Sequence, residues 1–188
     1  AGCGAAGKLV AIHDFVDAAL GLAAADVCAR DRIAAMGESS GGLIVTAAMN
    51  ERPDLFRVVL ALYPFVDCVD TMLDTSLPGT TDEFDEWGNP ALPADYAAMM
   101  RWSPYDNVAA VAYPAIFLRG AMHDDEVMVW EPAKLAAKLR AVGTGSRPLV
   151  LETYFARGIG HLGPADTAGH LRDRAAEFAF ALRELGVR

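Results

Sequence analysis

The chain has 188 residues, 53% hydrophobic and 22% charged, which is enough apolar material for a buried core and excludes a disordered or low-complexity protein. Its longest apolar run, Val58 to Val66, falls far short of the roughly 20 residues that span a bilayer, and no signal-peptide layout opens the chain. A soluble, cytoplasmic protein is expected, and a net charge of −9 argues against a nucleic-acid partner, whose phosphates require clustered Lys and Arg.

Apolar runs of strand length alternate with stretches of helical period, the pattern of βαβ units around a parallel sheet. A helix is predicted over Leu9–Leu22, where Leu9, Ile12, Phe15, Val16, Ala19 and Leu20 share a face, followed by a strand at Ile33–Gly37 and a helix from Ser40 to about Asn50. A second strand is predicted at Arg57–Tyr63. The segment from Asp67 to Val111 breaks the alternation and reads as an excursion of short helices. Strand Ala115–Arg119 follows, then a helix opening at Pro132 with Gly143 as its cap, strand Leu149–Phe155, and a last helix from about Asp166 to Leu185. In that helix Leu171, Ala175, Phe178, Leu182 and Leu185 form a stripe expected to pack on the sheet.

No repeat or linker divides the chain, so residues 1–188 read as a single partial domain. The chain starts at Ala1 and a helix precedes the first strand, so upstream strands are expected to be missing and one sheet edge to be left unpaired. Cys3, Cys28 and Cys68 are odd in number, widely spaced and without CxxC or Cys/His pairing; they read as buried small hydrophobes in a reducing cytosol.

The charge is unevenly placed. Between Arg57 and Arg101 there is no Lys or Arg but eight carboxylates, whereas the rest of the chain holds 17 acids against 16 bases. This segment is either a solvated acidic loop or a pocket for a cationic ligand.

Gly37-Glu38-Ser39-Ser40-Gly41 matches G-x-S-x-G between a predicted strand and a predicted helix, the setting of the α/β-hydrolase nucleophile elbow. A serine hydroxyl needs a base oriented by a carboxylate, and this fold supplies them in the order Ser, acid, His. His13 precedes the serine and His170 opens a helical pattern, whereas His161 lies in the glycine-flanked loop Gly158–Gly163 after the last strand and is the best base. The acid belongs just past the third strand, in Met122-His123-Asp124-Asp125-Glu126; Asp124 is the first choice and Asp125 the reserve, because sequence does not fix which points at the imidazole. Consecutive side chains diverge, so these residues make a poor metal site, and no metal or other cofactor is expected.

Together with the elbow, Tyr63-Pro64-Phe65-Val66-Asp67, Thr71-Met72-Leu73-Asp74, Glu83-Phe84-Asp85-Glu86-Trp87-Gly88-Asn89-Pro90, Ser103-Pro104-Tyr105-Asp106-Asn107-Val108 and Trp130-Glu131-Pro132-Ala133-Lys134 resemble the catalytic domain of the oligopeptidase B group of the prolyl oligopeptidase family, from about Lys8 onward. The resemblance implies the C-terminal portion of an α/β-hydrolase, a mostly parallel sheet with helices on both faces. It implies a serine peptidase acting through Ser39, Asp124 and His161 on short basic peptides, cleaving after Arg or Lys. The P1 side chain would be held by Glu83 and Asp85, with Glu86 third. The oxyanion would be held by the Ser40 N–H and by a tyrosine of an upstream loop that this chain lacks, as it lacks the family's β-propeller. An esterase on the same fold and an inactive fragment of the peptidase are the alternatives.

Overall fold

The computed structural model describes residues 4–187. Its regular elements are α1 (Lys8–Ala24), β1 (Ala34–Glu38), α2 (Ser40–Glu51), β2 (Val58–Leu62), α3 (Cys68–Leu73), α4 (Phe84–Trp87), α5 (Pro93–Met99), β3 (Ala115–Ala121), α6 (Trp130–Val142), β4 (Leu149–Tyr154) and α7 (Thr167–Leu185). The four strands lie side by side in chain order and all pairs are parallel, with Met36 opposite Leu60, Leu60 opposite Phe117 and Phe117 opposite Val150.

The central strands β2 and β3 are buried along their whole length, which is why they read as unbroken apolar runs. Their residues alternate between two cores. Val59, Ala61, Ile116 and Leu118 face Ile12 and Val16 of α1, Leu43 and Met49 of α2, and Leu135 and Leu139 of α6. Val58, Leu60, Ala115 and Phe117 face the other way, where Phe180, Ala181 and Leu185 of α7 pack. Strand β1 is an edge strand, with Ala34, Met36 and Glu38 exposed.

Three expectations are corrected. Helix α6 starts two residues before Pro132, which the first helical turn tolerates because its N–H groups lack intrahelical acceptors. The α7 stripe faces solvent except at Leu185, which packs on the sheet: Leu171 is 65% exposed and Phe178 58%, while Asp173 and Glu177 are buried. The physical reason is Arg119, whose side chain rises from β3 on that face and draws the carboxylates of α7 inward. Cys68 is buried but Cys28 only half-buried, and Cys3 lies outside the described residues.

The 67–111 excursion is anchored in the core by two indoles. Trp87 packs edge-on against Phe65, ring centroids 4.9 Å apart, and Trp102 Nε1 donates to Ala5 O at 2.7 Å. Among the described residues no helix is long and apolar enough to cross a membrane.

Candidate active site

Ser39 occupies the turn between β1 and α2 at φ 55°, ψ −120°, a conformation that side-chain-bearing residues rarely adopt. Its N–H donates to Leu62 O at 2.9 Å, and its carbonyl accepts from Gly42 N at 2.9 Å and Phe65 N at 3.2 Å, so the end of β2 and the loop after it hold the turn from both sides. The turn is tight enough that a Cβ on Gly37 would lie 2.1 Å from Gly41 O, and one on Gly42 would lie 2.4 Å from Pro64 Cβ. A Cβ on Gly41, the second glycine of the motif, would meet open space. Ser40 opens α2, so its N–H has no intrahelical acceptor.

Asp124 follows β3 and is buried. Its Oδ1 accepts from Glu126 N at 3.0 Å and Val127 N at 2.9 Å, leaving Oδ2 to meet His161 Nδ1 at 2.9 Å. Asp124 and not Asp125 therefore faces the imidazole, because the turn that Asp124 caps points Asp125 into the neighbouring pocket. His161 is buried in the loop closed by the Gly160–Gly163 bridge. Burial alone would lower its pKa, but the hydrogen bond and charge of Asp124, with the charges of Glu126 and Glu38, raise it above the ordinary histidine value. His13, His123 and His170 are exposed.

Beside the elbow lies an open pocket of about 390 Å³. Ser39 and Ser40 line one part of it, Phe65 and Trp87 its apolar wall, and Glu83 and Glu86 contribute carboxylates. Glu126, a further lining residue, comes within 3.7 Å of His161 Nε2, which places the histidine next to the pocket rim. No hydrogen bond joins Ser39 to His161 in this structure.

The three acids read as cation ligands divide. Glu83 and Glu86 line the pocket; Asp85, on the same helical turn, does not. Both lining acids already have partners within the chain. Glu83 Oε2 accepts from Trp87 Nε1 at 2.7 Å, and Glu86 pairs with Lys8 at 3.0 Å, whose ammonium also lies 3.8 Å from the Trp87 ring centre.

Two site neighbours were not foreseen from the sequence. Tyr63 has φ 45°, is buried, and places its ring 6.0 Å from that of His161. Glu131 is fully buried behind the pocket wall. Both stand in quoted motifs, Tyr63 in Tyr63–Asp67 and Glu131 in Trp130–Lys134, but local pattern marks neither as a neighbour of the site, since an acid in the first turn of a helix is ordinary.

A sequence model of the Prolyl oligopeptidase family matches residues 5–188. The chain belongs to that family. Among curated proteins, the chain is similar to a dipeptidyl aminopeptidase BI of Pseudoxanthomonas mexicana, 45% identical over 96% of this chain and 25% of the relative. Protease 2 of Moraxella lacunata is 45% identical over 93% of this chain and 25% of its own length. Among solved structures, oligopeptidase B from Trypanosoma brucei with covalently bound antipain is 42% identical with a TM-score of 0.90, covering 93% of this chain and 24% of that one. Oligopeptidase B from Leishmania major is 40% identical with a TM-score of 0.89, covering 92% and 24%. The fold is thus the α/β-hydrolase fold of this family, and the chain spans about a quarter of the length of these relatives.

Proposed function

We propose that this chain carries the catalytic triad of a serine peptidase that cleaves short peptides after Arg or Lys. The observation that carries the reading is the Asp124–His161 pair at 2.9 Å, next to Glu126, which lines a pocket that also holds Ser39 and the carboxylates of Glu83 and Glu86. Ser39 Oγ attacks the scissile carbonyl while His161 Nε2 takes its proton; Asp124 holds Nδ1–H and so fixes the tautomer. The Ser40 N–H donates to the oxyanion. His161 then protonates the leaving amine, and water, deprotonated by the same imidazole, hydrolyses the acyl-enzyme.

A basic P1 side chain would lie along the Phe65–Trp87 wall and reach Glu83, with Glu86 shared with Lys8 and Asp85 contributing field rather than contact. The covalent complex of the related Trypanosoma brucei oligopeptidase B is consistent with a nucleophilic enzyme. A reducing, cytoplasmic location belongs to the same reading: Cys28 and Cys68 are free thiols, and burial holds the Cys68 thiol protonated.

The test is treatment of the purified chain with a fluorophosphonate, the adduct located by peptide mass spectrometry and Ser39→Ala as control. A Ser39 adduct that is absent from the variant supports the assignment. Labelling elsewhere, or none, overturns it for this chain.

A further inference from the structure

Glu131, the second residue of α6, is 0% exposed and makes every hydrogen bond of its carboxylate to one segment of chain. Oε2 accepts from Val66 N at 2.6 Å and Asp67 N at 3.1 Å, and Oε1 accepts from Thr71 Oγ1 at 2.8 Å. The two N–H groups lie between β2 and α3, where neither a sheet nor a helix ladder serves them, so the carboxylate is what satisfies them. That segment is the pocket wall. Phe65 and Thr71 line the cavity, and Phe65 N–H bonds to Ser39 O at 3.2 Å. One helical turn further along α6, Lys134 pairs with Asp67 and with Asp70, the latter at 2.8 Å, and pulls the same segment onto the helix from its exposed side.

We propose that Glu131 is a positioning residue for the substrate pocket: it fixes the Phe65–Thr71 wall relative to Ser39 and so sets the shape of the space that receives a basic side chain. The proposal rests on the pocket reading above. A carboxylate buried without a charged partner of its own is costly, and burial pushes Glu131 up to about 7 in spite of its three donors. An apolar side chain would fill the same volume without that cost but could not hold two backbone N–H groups.

The experiment compares the chain with Glu131→Ala, Glu131→Gln and Thr71→Val. Isothermal titration with benzamidine reads the pocket, the rate of Ser39 labelling by a small neutral fluorophosphonate reads the nucleophile, and amide exchange at Val66 and Asp67 reads the wall. A glutamine keeps the geometry, its Oε1 accepting both N–H groups and its amide N–H donating to Thr71 Oγ1. Thr71→Val removes a single bond. Expected results are benzamidine affinity down about tenfold in Glu131→Ala, restored to within roughly threefold in Glu131→Gln, and down about threefold in Thr71→Val. Losses in labelling rate should be several times smaller than losses in affinity. Exchange at Val66 and Asp67 should quicken in Glu131→Ala and return in Glu131→Gln. Unchanged benzamidine affinity in Glu131→Ala and Thr71→Val overturns the proposal, as does labelling that falls in proportion to affinity or a parent chain that binds no benzamidine. A parent chain that binds benzamidine but takes no label refutes the Ser39 assignment alone, and the affinities then still decide the role of Glu131.

Discussion

Arg119 on β3 and Glu177 on α7 form an ion pair in which each side chain is 1% exposed. The guanidinium also meets Glu152 Oε2 at 2.7 Å and Asp173 Oδ2 at 3.4 Å, and Tyr154 donates its hydroxyl to Asp173. This cluster, together with the apolar contact of Phe180, Ala181 and Leu185, joins the C-terminal helix to the sheet, and it lies near the His161 loop: a Cβ on Gly163 would lie 3.6 Å from Asp173 Oδ2. Glu177→Ala removes one of three carboxylates from the buried guanidinium and leaves Glu152 and Asp173 to compensate it, so it is expected to destabilise the chain by about 1–3 kcal/mol in urea unfolding. A loss below about 1 kcal/mol would show that the pair is not buried as described.

The outward face of α7 gives the complementary expectation. Phe178→Gln should shift stability by no more than about 0.5 kcal/mol, because the ring is 58% exposed. Phe180→Ala, whose ring lies 5.6 Å from Phe117, should cost about 2 kcal/mol. Thermal melts of the two variants check the orientation of the helix, and the reverse order would contradict it.

His161 titrates with a raised pKa through its bond to Asp124. With the folded pKa above the unfolded value, protonated His161 stabilises the fold fully below about pH 6.5, and that contribution is lost as pH rises through the folded pKa. Asp124→Asn keeps the capping oxygen but removes the charge. It should lower the histidine titration midpoint, followed by NMR of the ring Cε1–H, and diminish the variant's stability relative to the parent most at the acid end. An unmoved midpoint would show that Asp124 does not hold the ring.

The elbow glycines should behave differently. Gly42→Ala would drive a Cβ into Pro64 and is expected to cost about 1–3 kcal/mol and to slow Ser39 labelling. Gly41→Ala meets open space and should be neutral to about 1 kcal/mol stabilising. Unfolding curves of both variants, with labelling rates for Gly42→Ala, test the contrast. Equal losses would mean that the turn packs otherwise.

The four strands, the long helices and the elbow were legible in the sequence because each rests on local information. Fully buried strands such as Val58–Leu62 are continuous apolar runs, α1 carries a helical stripe, and the strained turn at Ser39 needs small residues at fixed offsets. His161 was singled out by its glycine-flanked loop after a strand. Which carboxylate reaches it was left open, since the answer lies in the turn that Asp124 caps with its other oxygen.

What only the tertiary structure decided are relations between residues far apart in the chain. Arg119 and Glu177 stand 58 positions apart, and Glu131 and Val66 stand 65 apart. Hydrophobic periodicity assigns a charged residue to the surface, and these pairs reverse that assignment because each buried charge meets partners on another element. The same rule misoriented α7: once Arg119 is fixed in β3, burying Asp173 and Glu177 beside it outweighs burying Leu171 and Phe178. Sequence thus determined the elements and the candidate chemistry, and long-range compensation of buried charge decided which faces meet and how the pocket wall is held.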